Sequence, residues 1–141
     1  MNSTIKKFGY SENLIKEYDH WVVLYRPQQV TIGSLVLICK ENKFTLGDLS
    51  ESAYLEFRLV IQNVEKFLYE KLCANKINYI ALMLVDPHVH FHIIPRYSFK
   101  ITINEKYYHD IYWPKPPNIL GKIDVNESEK LYLIKYFQNN F

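Results

Sequence analysis

The ordered pattern of apolar positions begins with two short β-branched runs. Trp21-Val22-Val23-Leu24-Tyr25 is apolar throughout and predicts a strand. Arg26-Pro27 ends it, because proline cannot continue a ladder. Leu35-Val36-Leu37-Ile38-Cys39, entered through Gly33, predicts a second strand, since a short run rich in Val and Ile favours strand over helix. The period then changes. Ala53, Phe57, Val60, Val64, Phe67 and Leu72 recur at helical spacing, and Glu56, Gln62, Asn63, Glu65, Lys66 and Glu70 fall mostly between them. That pattern is an amphipathic helix lying on a sheet. Either Asp48 or Ser50 can cap it, Glu51 can complete a box with Asp48, and it is expected to end near Ala74-Asn75.

Two more strands are expected. Ile77 to Val85 is nearly continuous in apolar character, as for a strand covered on both faces. Asp86-Pro87 interrupts it, and Val89 to Tyr97 alternates strongly. Beyond Tyr97 the chain becomes aromatic and proline-rich from Tyr107 to Pro117, which reads as an ordered loop or flap bordering a cleft or a partner. Asn126 with Glu129 caps a last helix that runs through Leu131, Ile134 and Phe137. Strands, helix, strands, helix is the order of an α+β fold with a mainly antiparallel sheet, one long helix and a C-terminal helix.

Composition narrows the class. The 141 residues fit one domain, 1–141, and 48% apolar content excludes a disordered segment. With 17 basic and 15 acidic residues the net charge is only +2, which argues against a nucleic-acid polymer or a membrane surface as partner. A mononucleotide or dinucleotide needs only a local donor cluster. Cys39 and Cys73 are the only cysteines, too few for a disulfide framework, and are expected to be buried and reduced. Residues 1–10 lack an apolar signal region, and Tyr79 to Val85, the longest apolar run, is far too short to span a bilayer. A soluble, cytoplasmic protein is expected.

The chemistry concentrates in His88-Val89-His90-Phe91-His92-Ile93-Ile94-Pro95-Arg96. On a strand, alternate residues share a face, so the three rings stand about 6.5 Å apart in a row while Val89, Phe91 and Ile93 enter the core. All three histidines are then expected to line one open cleft. An imidazole with an ordinary pKa near 6.5 can be nucleophilic while its neighbour is cationic, and adjacent rings couple their titrations. A row of partly exposed histidines without a role fits one such residue better than three. Metal ligation is the stronger competitor, because His-x-His is a common ligand spacing, with Asp86 or Asp110 as conceivable completing carboxylates.

These seven residues, His88 to Ile94, resemble the histidine-triad (HIT) motif, His-φ-His-φ-His-φ-φ with φ apolar, at every position. Pro95-Arg96 is similar to the family's usual continuation. By layout the resemblance covers about 12–97, with the flap and C-terminal helix at 98–141, and it points to a divergent, bacterial-type branch. It implies a nucleotide hydrolase or nucleotidyl transferase acting at an α-phosphate, extending to dinucleoside polyphosphates. His90 would attack phosphorus and carry the nucleotidyl group, His92 would hydrogen-bond the phosphate, and His88 would orient His90 or assist the leaving group. No metal or other cofactor is required for that step. The family's homodimers, with a sheet continued across the interface, imply the same assembly here.

The chain departs from the family where a Gly-His pair usually precedes the second strand, having Gly33-Ser34, and where Pro-Lys usually follows it, having Cys39-Lys40. The usual phosphate donors before the triad are replaced by Ala81-Leu82-Met83-Leu84-Val85-Asp86-Pro87, and the usual acidic ribose contact is missing around Tyr25-Arg26-Pro27. Further candidates for substrate binding are Asn78, near the family's phosphate-binding Asn, Arg96 as a phosphate cation, and Trp113 as a base-stacking residue, an interface residue or a core residue packed against the last helix. Lys6-Lys7 reads as a solvated face. Two alternatives stand beside the enzyme: a nucleotide-binding or interaction module that keeps the fold without the chemistry, and a hydrolase using the histidines as metal ligands.

Overall fold

A computed structural model describes all residues, 1–141. Five strands form one antiparallel sheet: β1 (Leu14–Glu17), β2 (Trp21–Tyr25), β3 (Leu35–Cys39), β4 (Lys76–Ile80) and β5 (His90–Arg96), in the order β1-β2-β3-β5-β4. Both predicted apolar runs are strands with the expected bounds. Their continuous burial has a simple cause: the sheet is covered on both faces. Trp21, Val23, Tyr25, Leu35 and Leu37 join the main core, while Val22, Leu24, Val36 and Ile38 form a smaller cluster with Ile5 on the opposite face. The second cover is a short helix, α1 (Ser3–Lys7), capped by Asn2. Five residues show no periodicity, so nothing in the apolar pattern announced it.

The long helix, α2 (Glu51–Glu70), packs Ala53, Val60, Val64, Phe67 and Leu68 toward the sheet. Its cap is Ser50, whose hydroxyl accepts from Ala53 N at 3.1 Å. The expected Asp48–Glu51 box does not form; Glu41, from the turn after β3, accepts from Ser50 N at 2.9 Å instead. The helix also ends earlier than expected. Cys73 takes a left-handed φ of 58° and Ala74 N closes on Leu68 O, a turn made without the glycine that would have signalled it. Cys39 is buried as expected, but Cys73 is exposed.

The largest correction concerns Ile77 to Val85. The strand β4 stops at Ile80 and lies at the edge of the sheet, with its residues half-buried or exposed. Its last ladder partner is His92, and β5 begins only at His90, so the segment beyond Ile80 leaves the ladder. Met83 turns it at a φ of 47°, and Leu84 and Val85 are 76% and 85% exposed. Apolar content there serves a surface, not a doubly covered strand.

The aromatic segment is also more regular than expected. β6 (Ile101–Ile103) and β7 (Lys106–Tyr108) form a hairpin whose turn residues, Asn104 and Glu105, both have positive φ. Such turns are usually signalled by Asn-Gly, which this chain lacks. The last helix, α3 (Glu127–Asn140), has the predicted Asn126–Glu129 capping box. Its buried face is Leu133, Ile134 and Phe137; Leu131 is exposed. No helix is long and apolar enough to cross a membrane.

Candidate active site

The site is built where β5 meets the α1 face of the sheet. In the register, Val36 lies opposite His92 and Ile38 opposite His90, so both rings stand beside the small apolar cluster under α1. Phe8, which follows α1, packs its ring against both, at centroid separations of 6.0 and 5.8 Å. The two imidazoles meet edge to face, 5.0 Å apart. They border a cleft of about 480 Å³ whose walls include Lys7, Phe8, Arg26, Asp86, Leu120 and the exposed loop at Leu82–Val85. Val89 and Ile93 are buried on the opposite face, and Phe91 packs partly buried against Trp21 and Phe57, as strict alternation requires.

Hydrogen bonds fix the state of each ring. His90 Nδ1 lies 2.6 Å from the main-chain oxygen of His88. A carbonyl oxygen only accepts, so Nδ1 carries the proton and the neutral ring's Nε2 keeps its lone pair. His92 is the reverse. Arg26 Nε donates to its Nδ1 at 3.1 Å, and a guanidinium cannot accept. In neutral His92 the proton therefore sits on Nε2. Burial first, then the nearby Arg26 and His90, push His92 down to about 4, so it stays neutral near pH 7. Adjacent rings thus offer one bare nitrogen and one N–H.

His88 differs from the expectation that all three rings line the cleft. It precedes β5, and its Nδ1 meets Thr4 Oγ1 at 3.0 Å while Nε2 meets Asn42 Oδ1 at 2.8 Å. Both nitrogens are occupied, so the ring ties α1 and the turn after β3 to the start of β5. Burial, with a smaller contribution from His90, lowers its pKa.

The remaining candidates lie elsewhere. Arg96 and Asn78 are on the histidine side of the sheet but at its far end, where Arg96 Nη1 donates to Asn78 Oδ1 at 2.9 Å. Arg96 is also paired with Asp110 and donates to Lys115 O, leaving its donors engaged. Neither residue borders the cleft with His90, and neither does Trp113. Nor do residues 107–113; the part of the C-terminal segment that reaches the cleft is Ile119–Leu120. Asp86 borders the cleft and pairs with Lys7 at 2.6 Å, so Lys7 is part of the site and not merely a solvated residue.

Sequence reasoning missed Arg26, Lys7, Thr4, Phe8 and Asn42. For Arg26 a signal existed. Val22 and Leu24 belong to the α1-side cluster, so alternation sends Arg26 to that same side, and Leu24, Val36 and His92 are successive partners across the ladder. The other four come from segments whose approach depends on tertiary packing.

No family model matches the sequence, and no curated relative matches it. Solved structures do. A histidine triad protein from Bradyrhizobium japonicum superposes with a TM-score of 0.73 at 21% identity, covering 99% of this chain and 96% of its own. One from Sinorhizobium meliloti 1021 gives 0.75 at 18% identity, with 100% and 96% covered. A hypothetical histidine triad nucleotide-binding protein from Sulfolobus tokodaii strain7 gives 0.68 at 17%, with 91% and 82% covered. The chain therefore has the histidine-triad fold.

Proposed function

We propose, with the histidine-triad fold as premise, that this chain is a nucleotide hydrolase or nucleotidyl transferase that works through a covalent intermediate on His90. The observation that carries the reading is the bond from His90 Nδ1 to His88 O, which leaves Nε2 as the free nucleophile facing the cleft. In the first step Nε2 attacks the α-phosphorus and forms a P–N bond. The bond to the leaving group breaks, and the departing atom takes its electron pair. In the second step an acceptor oxygen, water for a hydrolase, attacks phosphorus, loses its proton and returns the electron pair to Nε2. Two displacements replace one difficult displacement. In this reading His92 donates from Nε2–H to a phosphate oxygen, and His88 acts through its main-chain oxygen as the group that orients His90.

For the substrate the reading takes what the family resemblance implies, a nucleotide and by extension a dinucleoside polyphosphate with one nucleotide seated in the cleft. A second reading has one observation in its favour. Residues 81–87 present no side chain that can donate to phosphate, which suits a nucleotide-binding module with little turnover. Homodimerisation belongs to the proposal as well. The edge strand β4 has a free ladder side, Tyr79 bonds Glu65 of α2, and Leu55 and Leu59 on α2 are exposed.

The deciding experiment incubates the full chain with nucleoside phosphoramidates and dinucleoside polyphosphates, with aliquots stopped for mass spectrometry under conditions that preserve phosphorus–nitrogen bonds. Turnover with a nucleotidyl adduct on the peptide holding His90 supports the enzyme. Nucleotide binding without turnover on any member of the panel supports the module. Light scattering reports the dimer.

A further inference from the structure

The fold contains two buried arginines, and they are treated differently. Arg96 is matched by the carboxylate of Asp110. Arg26 is 9% exposed and has no carboxylate within ion-pair distance. Its Nε donates to His92 Nδ1, its Nη1 to Gln28 O at 2.5 Å, and its Nη2 to Ile119 O at 3.4 Å. All three acceptors are neutral. The other cation of the cleft, Lys7, is already neutralised by Asp86. A buried cation without a counter-charge is costly, and an anion entering the cleft would relieve that cost.

We infer that Arg26 is the anion-recognition and positioning residue of this cleft, supplying the positive charge that a phosphate neutralises and fixing His92 with its N–H toward that phosphate. The two roles share one guanidinium. Its Nε–H can only donate, so His92 must accept at Nδ1 and present Nε2–H. Its charge lies on the same wall as the two rings. The inference deepens the phosphate-handling reading and rests on it for the identity of the anion. The charged or titratable groups around His92 are Arg26, which follows β2, His90 from β5 and Asp86 from the loop before it, with Lys7 in α1's last turn held on Asp86.

Two substitutions separate the roles. Arg26→Gln keeps an N–H donor but removes the charge; Arg26→Met removes both. Nitrogen-15 NMR of the histidine rings reads the tautomer without any ligand. Calorimetry with AMP, adenosine and inorganic phosphate reads anion recognition. In the parent, His92 should be the Nε2–H tautomer, and AMP should bind more tightly than adenosine. Arg26→Gln should keep the tautomer and weaken AMP about ten-fold or more, as expected for loss of a charged hydrogen-bonding partner, while adenosine is unchanged. Arg26→Met should also populate the second tautomer and raise the pH at which His92 protonates. If Arg26→Met does not fold, Arg26→Gln alone decides the charge role. Unchanged AMP and phosphate affinities in Arg26→Gln would overturn the inference, as would a parent that binds neither anion. A parent that binds inorganic phosphate through Arg26 but not AMP supports the inference and removes the nucleotide reading.

Discussion

Arg96 and Asp110 form a two-point ion pair almost out of water: Nε to Oδ2 is 2.7 Å, Nη2 to Oδ1 is 3.2 Å, and the side chains are 4% and 2% exposed. Asp110 also accepts from Tyr97 N at 3.1 Å. The pair fastens the segment after the β6–β7 hairpin to the end of β5. Asp110→Ala leaves a buried guanidinium without a counter-charge, and about 3–5 kcal/mol of stability should be lost. Arg96→Met combined with Asp110→Ala should recover a large part of that loss. Urea melts of the two single variants and the double variant test this. Simple additivity of the single effects would mean that the pair is not coupled.

His90→Ala should abolish turnover on any substrate the parent cleaves, while fold and nucleotide binding persist. Alanine has no nitrogen lone pair to place in line with a leaving group. Substitution of His92 should cost less, on the order of a hundred- to ten-thousand-fold, as proton placement typically does, and substitution of His88, which keeps the main-chain oxygen that holds His90, should cost less than that. Steady-state kinetics with circular dichroism as a folding control makes the comparison. Full activity of His90→Ala would refute the covalent mechanism.

The depressed pKa of His92 makes a stability prediction with a definite sign. Its folded value, about 4, lies below the ordinary histidine value of 6.5. Between these limits the unfolded chain binds the extra proton, so acid favours unfolding. His92's contribution is fully present above pH 6.5 and is lost as pH falls toward 4. The loss should be on the order of 2 kcal/mol, part of the linkage being screened by water at the cleft. Denaturant midpoints measured across that range should show a shallower slope in His92→Gln. Equal slopes would mean that another group carries the acid sensitivity.

The sequence revealed what periodicity controls. The body of α2 and the side of β5 that carries His90 and His92 follow from spacing of 3.6 and two residues, β2 and β3 from short continuous β-branched runs, and the start of α3 from its Asn126–Glu129 capping box. Endings were less legible. The α2 turn at Cys73 and the hairpin turn at Asn104-Glu105 place ordinary residues at positive φ, so no glycine marked them. The segment Leu82–Val85 was misread because an exposed apolar loop and a covered strand have the same composition. Within the site the rings themselves were evident, but the groups that set their protons were not. Arg26 and the Thr4–His88–Asn42 bridge arise from contacts between residues distant in the chain.

Two parts of the C-terminal segment should respond differently to change. Deleting 107–113 removes Tyr108, which is buried in the main core, and Asp110, which neutralises Arg96. That deletion should unfold the protein, so this part of the segment holds the fold and does not act as a flap bordering the cleft. Leu120 is the opposite case: it is 88% exposed yet stands on the cleft wall. Its side chain contributes little to the core, so Leu120→Ser should shift stability by no more than about 0.5 kcal/mol. On the proposed reading, its place on the cleft wall puts it against whatever projects beyond the phosphate. Replacing an apolar wall by a hydroxyl should therefore raise KM more for substrates with a bulky apolar leaving group than for those with a small polar one, while kcat changes little. Thermal melts paired with kinetics on two such substrates separate the effects. A uniform change in KM across both substrates would show that Leu120 does not touch the leaving group.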